Sequence, residues 1–164
     1  MTALKTIVFI VFIPGILLGI IPPFGIQLLG GPALALGLGH WLAVPFWLAV
    51  PFWLAGSITL AWCARDFVVR GGGTPAPLEP PKELVVGGLY QNVRNPMYVG
   101  VLLIQAGTIL WYGSLVQVGY WLLLFAGISL FVRLYEEPHL RKTFGTAYEE
   151  YCRRVPRWIP RLGS

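Results

Sequence analysis

The sequence predicts an all-α membrane protein with about four transmembrane helices, and three observations carry that expectation. Of its 164 residues, 56% are hydrophobic and only 12% are charged, and the mean hydropathy is +0.69, too apolar for a soluble domain. Several runs reach membrane-spanning length, about 20 apolar residues. All 12 Lys/Arg and all seven Asp/Glu lie at the N-terminus, between 65 and 95, or from Arg133 onward, and the two intervening loops carry none. The net charge of +5 therefore reads as topology, because basic residues gather on the cytoplasmic side, and not as a nucleic-acid footprint. Both termini and the central connector are expected in the cytoplasm, with the protein multi-pass.

Residues 1–64 are expected to hold the first two spans. The first runs from about Leu4 to Ile21, with Lys5 at its start and Pro14-Gly15 inside. The apolar run continues to Leu29 without an Ala-x-Ala-like site, which favours a retained span over a cleaved leader. Pro22-Pro23 and Gly30-Gly31-Pro32 mark the break on the far side. The second span is placed near Val44–Ala64 and ended by Arg65-Asp66. It contains a repeat, Trp41-Leu-Ala-Val-Pro-Phe46 and Trp47-Leu-Ala-Val-Pro-Phe52, with Trp53 opening a third copy. Six residues at helical pitch advance about 600°, so these tryptophans cannot form one stripe and are expected to face lipid. Pro45 and Pro51 predict a bend.

Residues 65–164 are expected to form the working half. A polar connector over 65–95 contains Gly71–Pro77, a linker by composition. At Arg94-Asn95-Pro96 the chain turns apolar: Asn95 is suited to cap a helix and Pro96 to its first turn. The third span runs from Pro96 to about Tyr112, Gly113-Ser114 turns the chain, and the fourth runs from Leu115 to about Tyr135. Glu137-Pro138 is expected as a helix exit, followed by a helix over Leu140–Arg154. Phe144, Tyr148, Tyr151 and Trp158 are expected as interfacial anchors.

A hairpin of spans three and four brings Arg94-Asn95-Pro96 beside Glu136-Glu137 at its open, cytoplasmic end. A helix N-terminus with Arg94 suits a carboxylate, and glutamates suit an ammonium or ribose hydroxyls, so the junction is a candidate pocket for a zwitterionic cofactor. No Gly-rich phosphate loop or Ser-His-Asp order occurs. Cys63, Cys152, His40 and His139 show no metal-ligand spacing, so no metal is expected.

Gly87-Gly88-Leu89-Tyr90, Val93–Gly100, Tyr135-Glu136-Glu137-Pro138-His139-Leu140, Phe144-Gly145, Tyr148, Tyr151 and Val155–Pro160 together resemble the isoprenylcysteine carboxyl methyltransferase family and its phospholipid methyltransferase relatives. The resemblance covers roughly 71–161. It implies an integral membrane methyltransferase that uses S-adenosyl-L-methionine on its cytoplasmic side and takes a lipophilic acceptor from the bilayer. Carried over by position, Tyr90, Val93, Arg94, Asn95, Pro96, Tyr98, Gly100, Glu136 and Glu137 would bind the cofactor. Arg133, Glu137 and Arg154 would serve catalysis, the arginines by orienting a substrate carboxylate. The chain departs from the eukaryotic carboxyl methyltransferases in having Asn95 where they usually have His, and from many bacterial members, which have Pro-Tyr-Arg-Tyr, at Leu89–Asn92. Two other readings stay open: an NADPH-dependent reductase of the sterol-reductase type, with a similar Arg-His-Pro-x-Tyr stretch, and a non-enzymatic membrane adaptor. Membrane lipids are the expected surroundings, and nucleic acid is not an expected partner.

Overall fold

The computed structural model describes residues 46–70, 84–112 and 115–160. The expected first span, His40, the Gly71–Pro77 linker and the Gly113-Ser114 turn lie outside them. Among the described residues all regular structure is helical. One helix there, Gln117–Phe144, is long and apolar enough to cross a membrane, and Pro96–Trp111 is apolar but shorter.

A short 3-10 turn, Phe46–Leu48, leads into α1, Ala49–Arg70. Pro51 falls in the first turn of α1, where the N–H it lacks would have no intrahelical acceptor, so nothing in the backbone bonding demands the expected bend. The helix also runs past Arg65-Asp66, the expected end of the span, to Arg70. Asp66 is only 1% exposed, so its charge does not draw the chain out of the helix into water. Of the repeat, Trp47 is exposed, but Trp53 does not face lipid. Its ring lies 5.2 Å from that of Trp111 and its Nε1 donates to Thr108 Oγ1 at 3.4 Å.

After a second 3-10 turn, Gly88–Gln91, α2 spans Pro96–Tyr112, the bounds expected from the sequence. It lies along α1 because both helices present glycine at the crossing. A Cβ on Gly56 would come within 2.6 Å of Gly100 O, and one on Gly107 within 2.7 Å of Trp53 Cδ1. Small residues thus let the backbones approach, the usual basis of close helix packing in lipid. Leu60 and Val101 form the buried seam, flanked by Met97 and Ile104.

α3, Leu115–Phe131, returns antiparallel to α2, tied by Trp121 Nε1 donating to Leu102 O at 2.9 Å. The expected exit at Glu137-Pro138 does not occur. A π-helical turn, Val132–Glu136, continues directly into α4, Glu137–Phe144, with Glu137 N–H bonded to Val132 O, five residues back. The widened turn just before Pro138 absorbs the register change around a residue that cannot donate, and the helix survives it. The single helix expected over Leu140–Arg154 is broken at Gly145, whose φ of 53° and ψ of −130° suit glycine alone. Beyond it α5 covers Thr146–Arg154. Tyr148 and Tyr151, expected as interfacial anchors, are core residues instead, buried with Val155 against Leu84, Leu140 and Phe144.

Replacing Gly56 by Leu is expected to force α1 and α2 apart, at a cost of about 1–3 kcal/mol or more. The thermal midpoint of the detergent-solubilised protein measures it, and a surface change such as Leu122→Ala should leave that midpoint within a degree or so.

Candidate functional site

The hairpin does bring its two ends together. From the first turn of α2, the Tyr98 hydroxyl donates to Glu136 Oε2 at 2.9 Å. Arg94 Nη1 donates to Glu137 Oε1 at 3.0 Å and to Cys152 Sγ at 2.9 Å. The π turn separates the work of the two adjacent glutamates, so that Glu136 meets the helix start and Glu137 meets the arginines.

Glu137 is held on its other side by Arg157, which is not among the expected site residues. Arg157 grips it as a fork, Nε to Oε1 at 2.7 Å and Nη2 to Oε2 at 2.9 Å. The Glu137 side chain is 5% exposed, and a carboxylate so buried stays ionised only because two guanidinium groups share its charge. The same bonds push Arg157 above the ordinary arginine range. Glu137 is thereby held as a buried anion between two guanidinium groups.

Arg157 arrives on a strap, Val155–Pro160, that crosses the open end of the hairpin. Arg94 N–H donates to Pro156 O at 2.8 Å, and Asn95 Nδ2 donates to Arg157 O at 3.1 Å. Asn95, expected as a helix cap, thus sends its side-chain nitrogen to the strap, while its own carbonyl accepts from Val99 N–H at 3.1 Å. Trp158 packs edge-on against Phe125, centroids 5.4 Å apart, and Phe125 stacks on Trp121 at 5.7 Å. The strap therefore joins both helices of the hairpin.

The remaining expected residues divide by location. Pro96 and Val93 are buried beside the junction. Tyr90 is buried with Cys63 and Val85, and its carbonyl accepts from Tyr151 Oη at 2.8 Å. Gly100 faces α1 and serves helix packing, since a Cβ there would meet Gly56 O and Leu60. Arg133 is exposed on the π turn. Arg154 is 76% exposed and paired only loosely with Glu150, at 3.5 Å. Neither arginine bonds to the Glu137 cluster among the described residues. Arg157 and Cys152 were the residues missed, and the one legible signal for Arg157 was its place inside the Val155–Pro160 motif.

Burial pushes the phenols of Tyr90, Tyr148 and Tyr151 above the ordinary tyrosine range. Among the described residues no group of three or more His, Cys, Asp or Glu could hold a metal. Two buried donors lack an acceptor there, Arg94 Nε and Trp158 Nε1, and Glu136 has one carboxylate oxygen beyond that used by Tyr98.

Comparison with known proteins gives consistent matches. A family model described as phospholipid methyltransferase matches residues 46–147, more than half of the chain. Protein-S-isoprenylcysteine O-methyltransferase of Schizosaccharomyces pombe is 37% identical over 78 residues, 47% of this chain and 33% of that protein. Protein-S-isoprenylcysteine O-methyltransferase B of Arabidopsis thaliana is 31% identical over 83 residues, 50% of this chain and 42% of that protein. The chain thus matches less than half the length of these curated relatives.

Arg157→Ala leaves Glu137 buried with one partner and is expected to destabilise the protein by about 3–5 kcal/mol, read as a lowered unfolding midpoint, with Arg157→Lys intermediate because it cannot form the fork. Alkali should act on the tyrosines. A phenol whose value is raised in the fold contributes stability in full below about pH 10, the unfolded value, and loses it as pH climbs toward the folded one. Stability is therefore expected to be flat to about pH 10 and to fall above it, with a shallower fall in Tyr151→Phe; denaturation at a series of alkaline pH values checks both.

Proposed function

The chain belongs to the phospholipid methyltransferase family, and from that premise we propose that it is an integral membrane methyltransferase using S-adenosyl-L-methionine to methylate a lipophilic acceptor. The observation that carries the proposal is the junction itself: a helix N-terminus, a Tyr98–Glu136 pair and the Arg94–Glu137–Arg157 clasp at one end of a hairpin whose long helix can cross a bilayer. The four-span, multi-pass arrangement, with the site and both termini facing the cytoplasm, is part of the same proposal and rests on the distribution of charge.

The residues fit such a cofactor. Buried donors at Arg94 Nε and Trp158 Nε1 call for an anionic or carbonyl acceptor, and the α2 N-terminus favours a carboxylate. The remaining oxygen of Glu136 suits an ammonium or ribose hydroxyl. When bound, S-adenosylmethionine supplies a methyl group on a positively charged sulfur, which a nucleophile displaces in line. What this chain contributes is position and dryness. Tyr98 fixes the Glu136 carboxylate, Arg157 and Glu137 lock the strap across the opening, and Trp158 with Phe125 forms an apolar floor that keeps out water.

A carboxylate, thiolate or free amine needs no further activation toward such a donor, so no base is required for any of the three. If an amine or thiol must first lose a proton, Glu136 and not Glu137 is the available carboxylate, because Glu137 is fully paired. The matched relatives are named as isoprenylcysteine O-methyltransferases and the family as acting on phospholipid. A prenylated carboxylate and a lipid amine are accordingly the two acceptor chemistries proposed. Family membership supports this reading over the reductase and the adaptor.

Calorimetric titration of the purified protein with S-adenosylmethionine, S-adenosylhomocysteine and NADPH tests it. The first two are expected to bind and NADPH is not. Glu136→Gln and Tyr98→Phe should each weaken the adenosyl ligands about tenfold, the value of one hydrogen bond to a charged group, with unfolding midpoints close to that of the parent. NADPH binding, or no binding by any of the three, would overturn the proposal.

A further inference from the structure

Asp66 is a buried carboxylate that nothing in the proposed chemistry uses. It lies near the C-terminal end of α1 and is 1% exposed. A carboxylate near a helix end is ordinarily solvated, so its complete burial calls for a structural reason.

The Asp66 carboxylate lies over Gly88, the first residue of the 3-10 turn Gly88–Gln91. Gly88 has φ +64°, and a Cβ there would fall on Asp66 Oδ2 and within 3.2 Å of Trp62 Nε1. Only glycine fits, for backbone and for space alike. From this turn the chain reaches the clasp by short, bonded steps. Val93 N–H donates to Leu89 O at 3.3 Å, and Arg94 N–H to Pro156 O at 2.8 Å. Tyr90, buried against Cys63 of α1, takes the Tyr151 hydroxyl on its carbonyl at 2.8 Å. Both the arginine that holds Glu137 and the helix that carries Cys152 are therefore indexed to one turn.

We infer that Asp66 and Gly88 form a latch, in which Asp66 acts as a positioning residue: its carboxylate fills the space that a side chain on Gly88 would take, which seats the Gly88–Gln91 turn against α1 and so sets where Arg94 and α5 stand, and with them the geometry of the clasp. Its effect on cofactor binding rests on the methyltransferase reading; the latch itself does not.

The test uses the full-length protein in detergent, with Asp66→Ala, Asp66→Asn and Gly88→Ala, and two readouts. One is S-adenosylhomocysteine binding by calorimetry. The other is the rate at which N-ethylmaleimide labels Cys152, which is half-buried under Arg94, against Cys63, which is fully buried. Asp66→Ala and Gly88→Ala are each expected to speed Cys152 labelling at least tenfold while Cys63 stays protected, and to weaken S-adenosylhomocysteine at least tenfold. Asp66→Asn, which keeps the shape, should stay within threefold of the parent on both. Combining Ala at both positions should be no worse than the worse single change, since removing the carboxylate makes room for the new Cβ. Cys152 labelling within threefold of the parent in both Ala variants would overturn the latch, as would Cys63 becoming reactive together with Cys152 even in Asp66→Asn. If the parent fails to bind S-adenosylhomocysteine while Cys152 responds as expected, the methyltransferase reading falls and the latch stands. If the ligand binds parent and Ala variants equally, with Cys152 unresponsive, the latch alone falls.

Discussion

The constraint on which the site depends is the charge of Glu137. A carboxylate at 5% exposure cannot remain ionised without close cations, and this one receives two from opposite directions in sequence. Arg94 comes from the approach to α2 and Arg157 from the strap after α5. Burial makes each bond strong and makes the loss of either partner severe. The pairing therefore does what a larger apolar core would do elsewhere. It fastens the strap to the hairpin in a region where the chain is half polar, and it settles where Asn95, Pro156 and Trp158 lie. Glu136, adjacent in sequence, is free for a different task because its neighbour carries the structural load.

The helices beneath supply the distance over which that pairing can operate. Gly56, Gly100 and Gly107 allow α1 and α2 to lie with their backbones nearly touching. Interhelical hydrogen bonds from Trp53 and Trp121 fix rotation and register, which apolar contact alone fixes weakly in lipid. Position at the clasp is thus inherited from packing well inside the bundle. The site is made of polar residues, but an apolar frame decides that they meet.

Much of this was legible in the sequence because its cause is local. The start of α2 follows from Pro96, which suits a first helical turn, and the meeting of Arg94 with Glu136-Glu137 follows from a hairpin with nearly equal arms. What was not legible depends on long-range partners. Arg65-Asp66 looks like a span end until Gly88 is seen beneath it. Glu137-Pro138 looks like an exit because a π turn leaves no mark in composition. Tyr148 and Tyr151 look like interfacial anchors because amphipathic spacing is the same whether the covering layer is lipid or protein. Arg157 carries the largest share of the clasp, yet apart from its place in the Val155–Pro160 motif nothing in its neighbours distinguishes it from Arg153, Arg154 or Arg161.

The π turn at Val132–Glu136 also makes the hairpin sensitive to arithmetic. It holds one residue more than an α-helical turn would, and that residue decides which way Glu136 and Glu137 point. Deleting or inserting a residue within α2 or α3 would rotate everything beyond it by about 100° and shift it by about 1.5 Å, sending both carboxylates away from Tyr98 and Arg94. Outward-facing side chains along these helices, such as Leu122 and Leu123, can change while they remain apolar, whereas the residue count between Tyr98 and Glu136 cannot. Chain length here behaves as a functional character in its own right, one that selection can act on apart from the identity of any one side chain.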